Sequence, residues 1–337
     1  MTVQQAIAPA PALVDRFRRR IDYVRMSVTD RCDLRCRYCM PDRMTFLPRK
    51  DLLELGEIVD LADIFIARGV RRIRLTGGEP LVRTGVSDLV RSLGQRLGKG
   101  LEELTLTTNG TQLADHADTL AASGVRRINV SLDTLDPDSY RAITRRGDLD
   151  KAIAGIAAAT AAGLRIKINM VAMKSVNDHE IDGMIRFCMA NDHDLTLIET
   201  MPLGEIGEDR APTFLSLAPV EARLREDMGL VESRHSSPGP SRYFDIPGST
   251  SKIGFITPLT RNFCASCNRI RVTATGTVFG CLGRDQKVEL RDALRQGGAQ
   301  AVAAALDRLL AGKPEGHAFA NSAATPSVSR FMSMTGG

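Results

Sequence analysis

The feature that most limits how this chain can fold is a strand-then-helix repeat, run six times between Tyr23 and Thr200. Strand patterns fall at 23–28, 72–76, 104–108, 127–132, 165–171 and 195–199. Helical patterns lie between them at 55–68, 86–97, 112–123, 151–162 and 181–190. Gly69, Gly124 and Gly163 follow three of these helices, where a left-handed residue after the last turn is expected. The alternation implies a parallel sheet with right-handed crossovers. Each strand has two unlike faces. Val24, Met26 and Val28 oppose Tyr23, Arg25 and Ser27; Ile73 and Leu75 oppose Arg72, Arg74 and Thr76. Leu104 and Leu106 oppose Thr105, Thr107 and Asn109, and Ile128, Val130 and Leu132 oppose Arg127, Asn129, Ser131 and Asp133. Ile166, Ile168 and Met170 oppose Arg165, Lys167 and Asn169. A sheet covered by helices on both faces would read as unbroken apolar runs. Here the apolar face must meet the helices, so the polar face lines a lumen, and a partial (β/α)6 TIM-like barrel follows. The alternative is an ordinary sheet with one solvated face. An interior bearing Arg25, Arg74 and Lys167 among hydroxyls and amides suits a polyanionic ligand.

In such folds sites collect at the carboxyl ends of the strands. The first of those ends carries Cys32, Cys36 and Cys39, spaced Cys-x3-Cys-x2-Cys, and the second carries Gly77-Gly78-Glu79-Pro80. Three thiolates suit an iron–sulfur cube with one iron left open, whereas structural zinc wants a closed set of four ligands. No further Cys or His lies near; the next is His116. A second triplet, Cys264, Cys267 and Cys281, also lacks a neighbouring fourth ligand. Zinc with a remote fourth ligand is its bland reading, and a second cluster whose open iron binds a ligand atom is the favoured one; spacing alone leaves both open. Arg269 and Arg271 project to one side of the strand that leaves this triplet. The remaining cysteine, Cys188, lies in an apolar helical stretch and reads as a buried, inert thiol. An odd cysteine count without a signal peptide argues against a disulfide framework.

Outside the repeat, residues 1–21 are Ala/Pro-rich and then basic, with no apolar signal-peptide core; they read as a disordered leader of a cytoplasmic protein. The barrel is expected over 22–203, a linker over 204–240, and a C-terminal α+β extension over 241–337. That extension holds helical patterns at 290–296 and 299–310 and ends in Gly336-Gly337, a terminus narrow enough to thread into a tight site. No apolar run approaches membrane length. Net charge is only +5 and Trp is absent, which disfavours a nucleic-acid platform built on stacked bases.

The first triplet with Tyr38 before its last cysteine, followed by Gly-Gly-Glu-Pro, resembles the radical S-adenosylmethionine (SAM) enzymes. Phe263-Cys-x2-Cys-Asn-Arg-Ile-Arg-Val272 and the Gly-Gly terminus are similar to the GTP 3′,8-cyclase family (molybdenum cofactor biosynthesis protein A), over about residues 22–337. The resemblance implies two [4Fe–4S] clusters, one on Cys32, Cys36 and Cys39 and one on Cys264, Cys267 and Cys281. It implies SAM contacts from Tyr38, Gly78, Ser131 and Met201. It implies GTP contacts from Arg25, Arg74, Thr107, Lys167, Arg269, Ile270 and Arg271, with Gly336 and Gly337 assisting turnover. The implied reaction is the SAM-dependent cyclisation of GTP that opens molybdopterin biosynthesis. Implied partners are an electron donor and a downstream cyclic pyranopterin monophosphate synthase, with neither nucleic acid nor membrane; a homodimer is left open. Another radical SAM enzyme with an auxiliary cluster, such as a peptide-modifying maturase, and a zinc-dependent nucleic-acid-binding protein are the rival readings. One position departs from the family: Thr196 stands where an arginine is usual two residues before Ile198-Glu199. Arg165 and Arg210 are the candidates to replace that cation.

Overall fold

The computed structural model describes residues 11–319 and 326–336. The chain runs β1 (Tyr23–Ser27), α1 (Leu55–Ala67), β2 (Arg72–Thr76), α2 (Val86–Gly94), β3 (Glu103–Thr108), α3 (Leu113–Ala122) and β4 (Arg127–Ser131). It continues through α4 (Pro137–Thr144), α5 (Leu149–Ala161), β5 (Arg165–Ala172), α6 (Ile181–Ala190) and β6 (Asp194–Glu199). α7 (Leu217–Met228), β7 (Val231–Glu232), β8 (Arg242–Asp245), β9 (Lys252–Ile256) and β10 (Arg269–Val272) follow. β11 (Thr277–Phe279), β12 (Lys287–Glu289), α8 (Leu290–Ala311) and α9 (Met332–Thr335) complete the order.

Strands β1 to β6 pair in sequence, all parallel, as the repeat requires. The apolar faces (Val24, Met26, Ile73, Leu75, Leu104, Ile128, Ile168) join the helices in one buried core. Gly69, Gly124 and Gly163 all take positive φ, between 80° and 89°, so these three helices end as their glycines predict. α4 lies in a segment with no predicted helix; Asp136 caps it, with Pro137 at its first position. α8 keeps the two predicted helices distinct, because Gly298 breaks it with φ 58° and ψ −152°.

The C-terminal extension is not a sheet of its own. β10 pairs parallel with β1, and β9 pairs parallel with β6, so one twelve-stranded sheet runs β12-β11-β10-β1-β2-β3-β4-β5-β6-β9-β8-β7. The expected boundaries near 204 and 241 mark a change in the repeat, while the sheet passes through both. The region expected as linker contains α7, whose Leu217 and Leu224 are fully buried.

The expected leader also needs correction over 11–21; residues 1–10 lie outside the described residues. Leu13 and Ile21 are fully buried, and Ile21 N–H donates to Leu13 C=O at 2.8 Å. Arg19 pairs with Asp15 at 2.6 Å and donates to the carbonyls of Cys264, Pro314 and Glu315. Two apolar anchors and one satisfied guanidinium fold what composition alone presents as a loose basic arm.

Candidate active site

All six strand ends of the barrel converge on one cavity. Cys32, Cys36 and Cys39 line it with Tyr38, Gly77, Gly78, Thr107, Asn109, Ser131, Asn169 and Met201. The paired glycines are there because the backbones nearly touch: a methyl at Gly77 or Gly78 would collide with the carbonyls of Thr29 or Arg31. Gly78 N–H donates to Thr29 C=O at 2.9 Å and Glu79 N–H to Arg31 C=O at 2.8 Å. The glycine loop is thereby stitched to the root of the cysteine loop. Glu79 is fully buried, accepting from Leu81 N–H, the Thr108 hydroxyl and Asn109 N–H, and burial raises its pKa to about 7. Tyr38 donates to Asp133 at 2.8 Å, and burial lifts Asp133 to about 6.

The thiols of this loop resist ionisation. Burial is the largest cause of the upward shift at all three, with Glu79 and Asp33 adding to it at Cys32, and Cys39 reaches about 11. Only a strongly bound cationic centre would hold them as thiolates. Among the described residues, no three His, Cys, Asp or Glu side chains close on a point as a single metal ion demands. Thiols spread along one cavity wall suit instead the separated corners of a cube.

Cys264, Cys267 and Cys281 line a second cavity with Arg25, Arg74, Lys167, Arg269 and Arg271. The two cavities share Asn169, Ile198, Met201 and Met332, so they are the two ends of one lumen. At the second triplet the electrostatics differ from thiol to thiol: burial raises Cys264, whereas Cys267 is brought down. Burial would raise Cys267, but Arg269, Lys313 and Arg271 outweigh it and bring the thiol to about 6. Lys313, fully buried, donates to Gly280 C=O at 2.6 Å and sits 3.7 Å from Cys267 Sγ.

Register explains the charge in this cavity. Arg25 is directly opposite Arg271 on one side and Arg74 on the other, a row of three arginines across adjacent strands. Strands sit about 4.8 Å apart, and like charges directly opposite destabilise a sheet. All three side chains are nine-tenths buried or more, and Nε of each has no hydrogen-bond partner. Burial is the largest cause of the depressed pKa of Arg25, with repulsion from Arg74, Arg271 and Arg269 adding to it. Tyr23, on the same face, is held below the usual phenol range: burial would raise it, but Arg74, Arg25 and Arg269 prevail. Buried cations without carboxylates are costly, and an anion bound among them offsets that cost.

Most of the sequence-derived residues therefore meet. Tyr38, Gly78, Thr107, Ser131 and Met201 surround the first cavity; Arg25, Arg74, Lys167, Arg269 and Arg271 surround the second. Ile270 does not join them. Strand alternation turns its side chain into the apolar core, at the register position of Val24. Gly336 rests against Thr76, beside the first cavity, and Gly337 lies outside the described residues.

Neither candidate replaces the arginine missing at Thr196. Arg165 is exposed at the start of β5, and Arg210 donates to the carbonyls of Leu203, Gly204 and Tyr38. Tyr243 occupies the region instead. The cross-strand row Asn169–Thr196–Gly254–Tyr243 puts two small residues beside it. Its hydroxyl accepts from Lys167 Nζ at 2.5 Å and donates to Ser237 at 3.0 Å. Tyr243 and Lys313 carry no local motif, so nothing in the sequence pattern could have selected them.

A family profile described as the Radical SAM superfamily matches residues 26–188, and one described as Molybdenum Cofactor Synthesis C matches residues 193–319. SuiB of Streptococcus suis bound to S-adenosylmethionine has the same fold, with a TM-score of 0.66 over 93% of this chain and 77% of its own, at 15% identity. Barrel, glycine loop and first triplet define the radical SAM class. The GTP 3′,8-cyclase of Erythrobacter litoralis is 56% identical over 330 residues, 97% of this chain and 99% of its own. That of Agrobacterium fabrum is 53% identical over 329 residues, 96% of this chain and 94% of its own. The chain belongs to the GTP 3′,8-cyclase family.

Proposed function

We infer that the two ends of the lumen hold the two reactants of a GTP 3′,8-cyclase. The chain converts GTP to (8S)-3′,8-cyclo-7,8-dihydroguanosine 5′-triphosphate, with SAM cleaved to methionine and 5′-deoxyadenosine, the first step of molybdopterin biosynthesis. The observation that carries the substrate is the row Arg271–Arg25–Arg74, buried and without carboxylates, beside Lys167 and the second cysteine triplet. These cations would hold the triphosphate.

Cys32, Cys36 and Cys39 would hold one [4Fe–4S] cluster, and Cys264, Cys267 and Cys281 another. When bound, the first cluster would supply the electron for SAM cleavage and the second would supply an iron able to bind a substrate atom. Tyr38, Gly78, Ser131 and Met201, which line the first cavity, would seat SAM, with Tyr38 held by Asp133. Thr107, whose hydroxyl is buried without a partner, lines the first cavity and would meet the substrate there. Ile198, Met201 and Met332 form an apolar collar between the cavities, which keeps water from the reacting carbon. Among the described residues no helix is long and apolar enough to cross a membrane. The reading extends to a cytoplasmic setting, a one-electron donor and a downstream cyclic pyranopterin monophosphate synthase.

Anaerobic incubation with GTP, SAM and dithionite tests the reading. Loss of GTP matched by formation of 5′-deoxyadenosine is expected. SAM cleavage indifferent to GTP would instead favour a peptide-modifying enzyme.

A further inference from the structure

The C-terminal tail touches both cavities, and one side chain sets where it lies. Ser327 N–H donates to Pro202 C=O and Gly204 N–H to Val328 C=O, each at 2.9 Å, so the tail runs beside the segment that follows Met201. Beyond it, Met332 lines both cavities and Ser333 lines the first. Ser333 shares the lining of the first cavity with Cys39, and its backbone amide favours the ionised form of that thiol. Gly336, at φ 71°, packs on Thr76 so closely that any side chain there would collide. α9 has only four residues, too few to hold a helix by itself. Its place must come from an anchor.

That anchor is Arg330. Its side chain is 5% exposed, stacks 3.9 Å from the centre of the Phe279 ring, and pairs with Asp285 at 2.7 Å. It also donates to the carbonyls of Cys281, Leu282 and Arg284. Those carbonyls belong to the loop that carries the third thiol of the second triplet.

We propose that Arg330 is a positioning residue that makes insertion of the tail at the first cavity depend on the seating of Cys281 at the second. Binding of Cys281 to its cluster fixes three carbonyls; the carbonyls fix Arg330; Arg330 fixes Ser333 against Cys39 and Gly336 against Thr76. The two ends of the lumen thus communicate through the chain terminus as well as through the barrel. The inference rests on reading Cys264, Cys267 and Cys281 as cluster ligands, and on nothing about turnover.

Hydrogen exchange of the 326–336 segment in the full-length, anaerobically purified protein tests it, with iron measured on the same samples. About eight iron per chain and a protected tail are expected for the wild type. Arg330→Ala should keep the iron and speed tail exchange roughly tenfold or more, since charge-assisted bonds are lost. Arg330→Lys, which keeps the charge without the fork, should fall between. Cys281→Ser should drop to about four iron and free the tail as far as Arg330→Ala does, and the double variant should add nothing. The electron paramagnetic resonance signal of the first cluster should change in Arg330→Ala, although Arg330 does not touch that site. Should Arg330→Ala lose iron, the decision passes to Arg330→Lys and Cys281→Ser. A tail indifferent to the substitutions at full iron overturns the coupling alone. A wild type with only about four iron overturns the cluster reading and the coupling with it.

Discussion

Replacing Arg25 by methionine should push stability and binding in opposite directions. Arg25 is 6% exposed, flanked in register by Arg271 and Arg74, and its Nε has no partner. In the ligand-free protein its charge meets repulsion on both sides and no carboxylate. Exchanging such a charge for an apolar side chain of similar length relieves desolvation and repulsion, worth about 2 kcal/mol of added stability. For a chain of 337 residues that is a rise of roughly 3 °C in Tm. With GTP bound, the same substitution leaves a phosphate without its buried cation, at a cost of about 3 kcal/mol, or somewhat over a hundredfold in Kd. Thermal unfolding of ligand-free protein and calorimetric titration with GTP read the two effects separately. The exposed control Arg91→Met should move neither. An Arg25→Met protein that unfolds earlier and binds GTP as the wild type does would refute the reasoning, because the cation would then be structural.

Three further outcomes are expected. Restoring the family arginine by Thr196→Arg should destabilise the fold by more than about 2 kcal/mol, because Thr196 is fully buried beside Gly254 and Tyr243; an unchanged Tm with tighter GTP binding would show room in the lumen. Cys39→Ser and Cys281→Ser should each leave about four iron per chain, and loss of all iron from either would mean that the triplets do not hold separate clusters. Asp133 is raised by burial to about 6, so its contribution favours the fold below the usual aspartate range and is lost as pH rises through about 6. The ligand-free Asp133→Asn protein should accordingly gain up to about 3 kcal/mol over wild type between about pH 4 and pH 7, measured by urea unfolding; a constant difference across that window would show that Asp133 does not titrate there.

Local periodicity was enough to read the barrel. Alternation at period two separated Val24 and Met26 from Arg25, and the structure puts the first pair in the core and Arg25 in the lumen. Positive φ at Gly69, Gly124 and Gly163 follows from helix geometry that the chain writes residue by residue. Both cysteine triplets were legible because their thiols recur at short spacings, Cys-x3-Cys-x2-Cys in the first and Cys-x2-Cys-x13-Cys in the second. The same alternation that sends Arg269 and Arg271 into the lumen leaves the side chain of Ile270 in the core.

What periodicity cannot carry is the pairing of segments far apart in the chain. That β10 lies against β1 decides that Arg271 stands opposite Arg25, although more than two hundred residues separate them in the chain. Tyr243 meeting Lys167, Lys313 beside Cys267, Leu13 and Ile21 buried in the supposed leader, and Arg330 on the Cys281 loop are contacts of the same kind. The sequence by itself determined the repeat, the polar lumen and the two sets of thiols, since each is a spacing rule for neighbours. The tertiary structure alone decided which of those cations stand directly opposite one another and how the terminus joins both cavities, because strand register and side-chain reach across the fold leave no local trace.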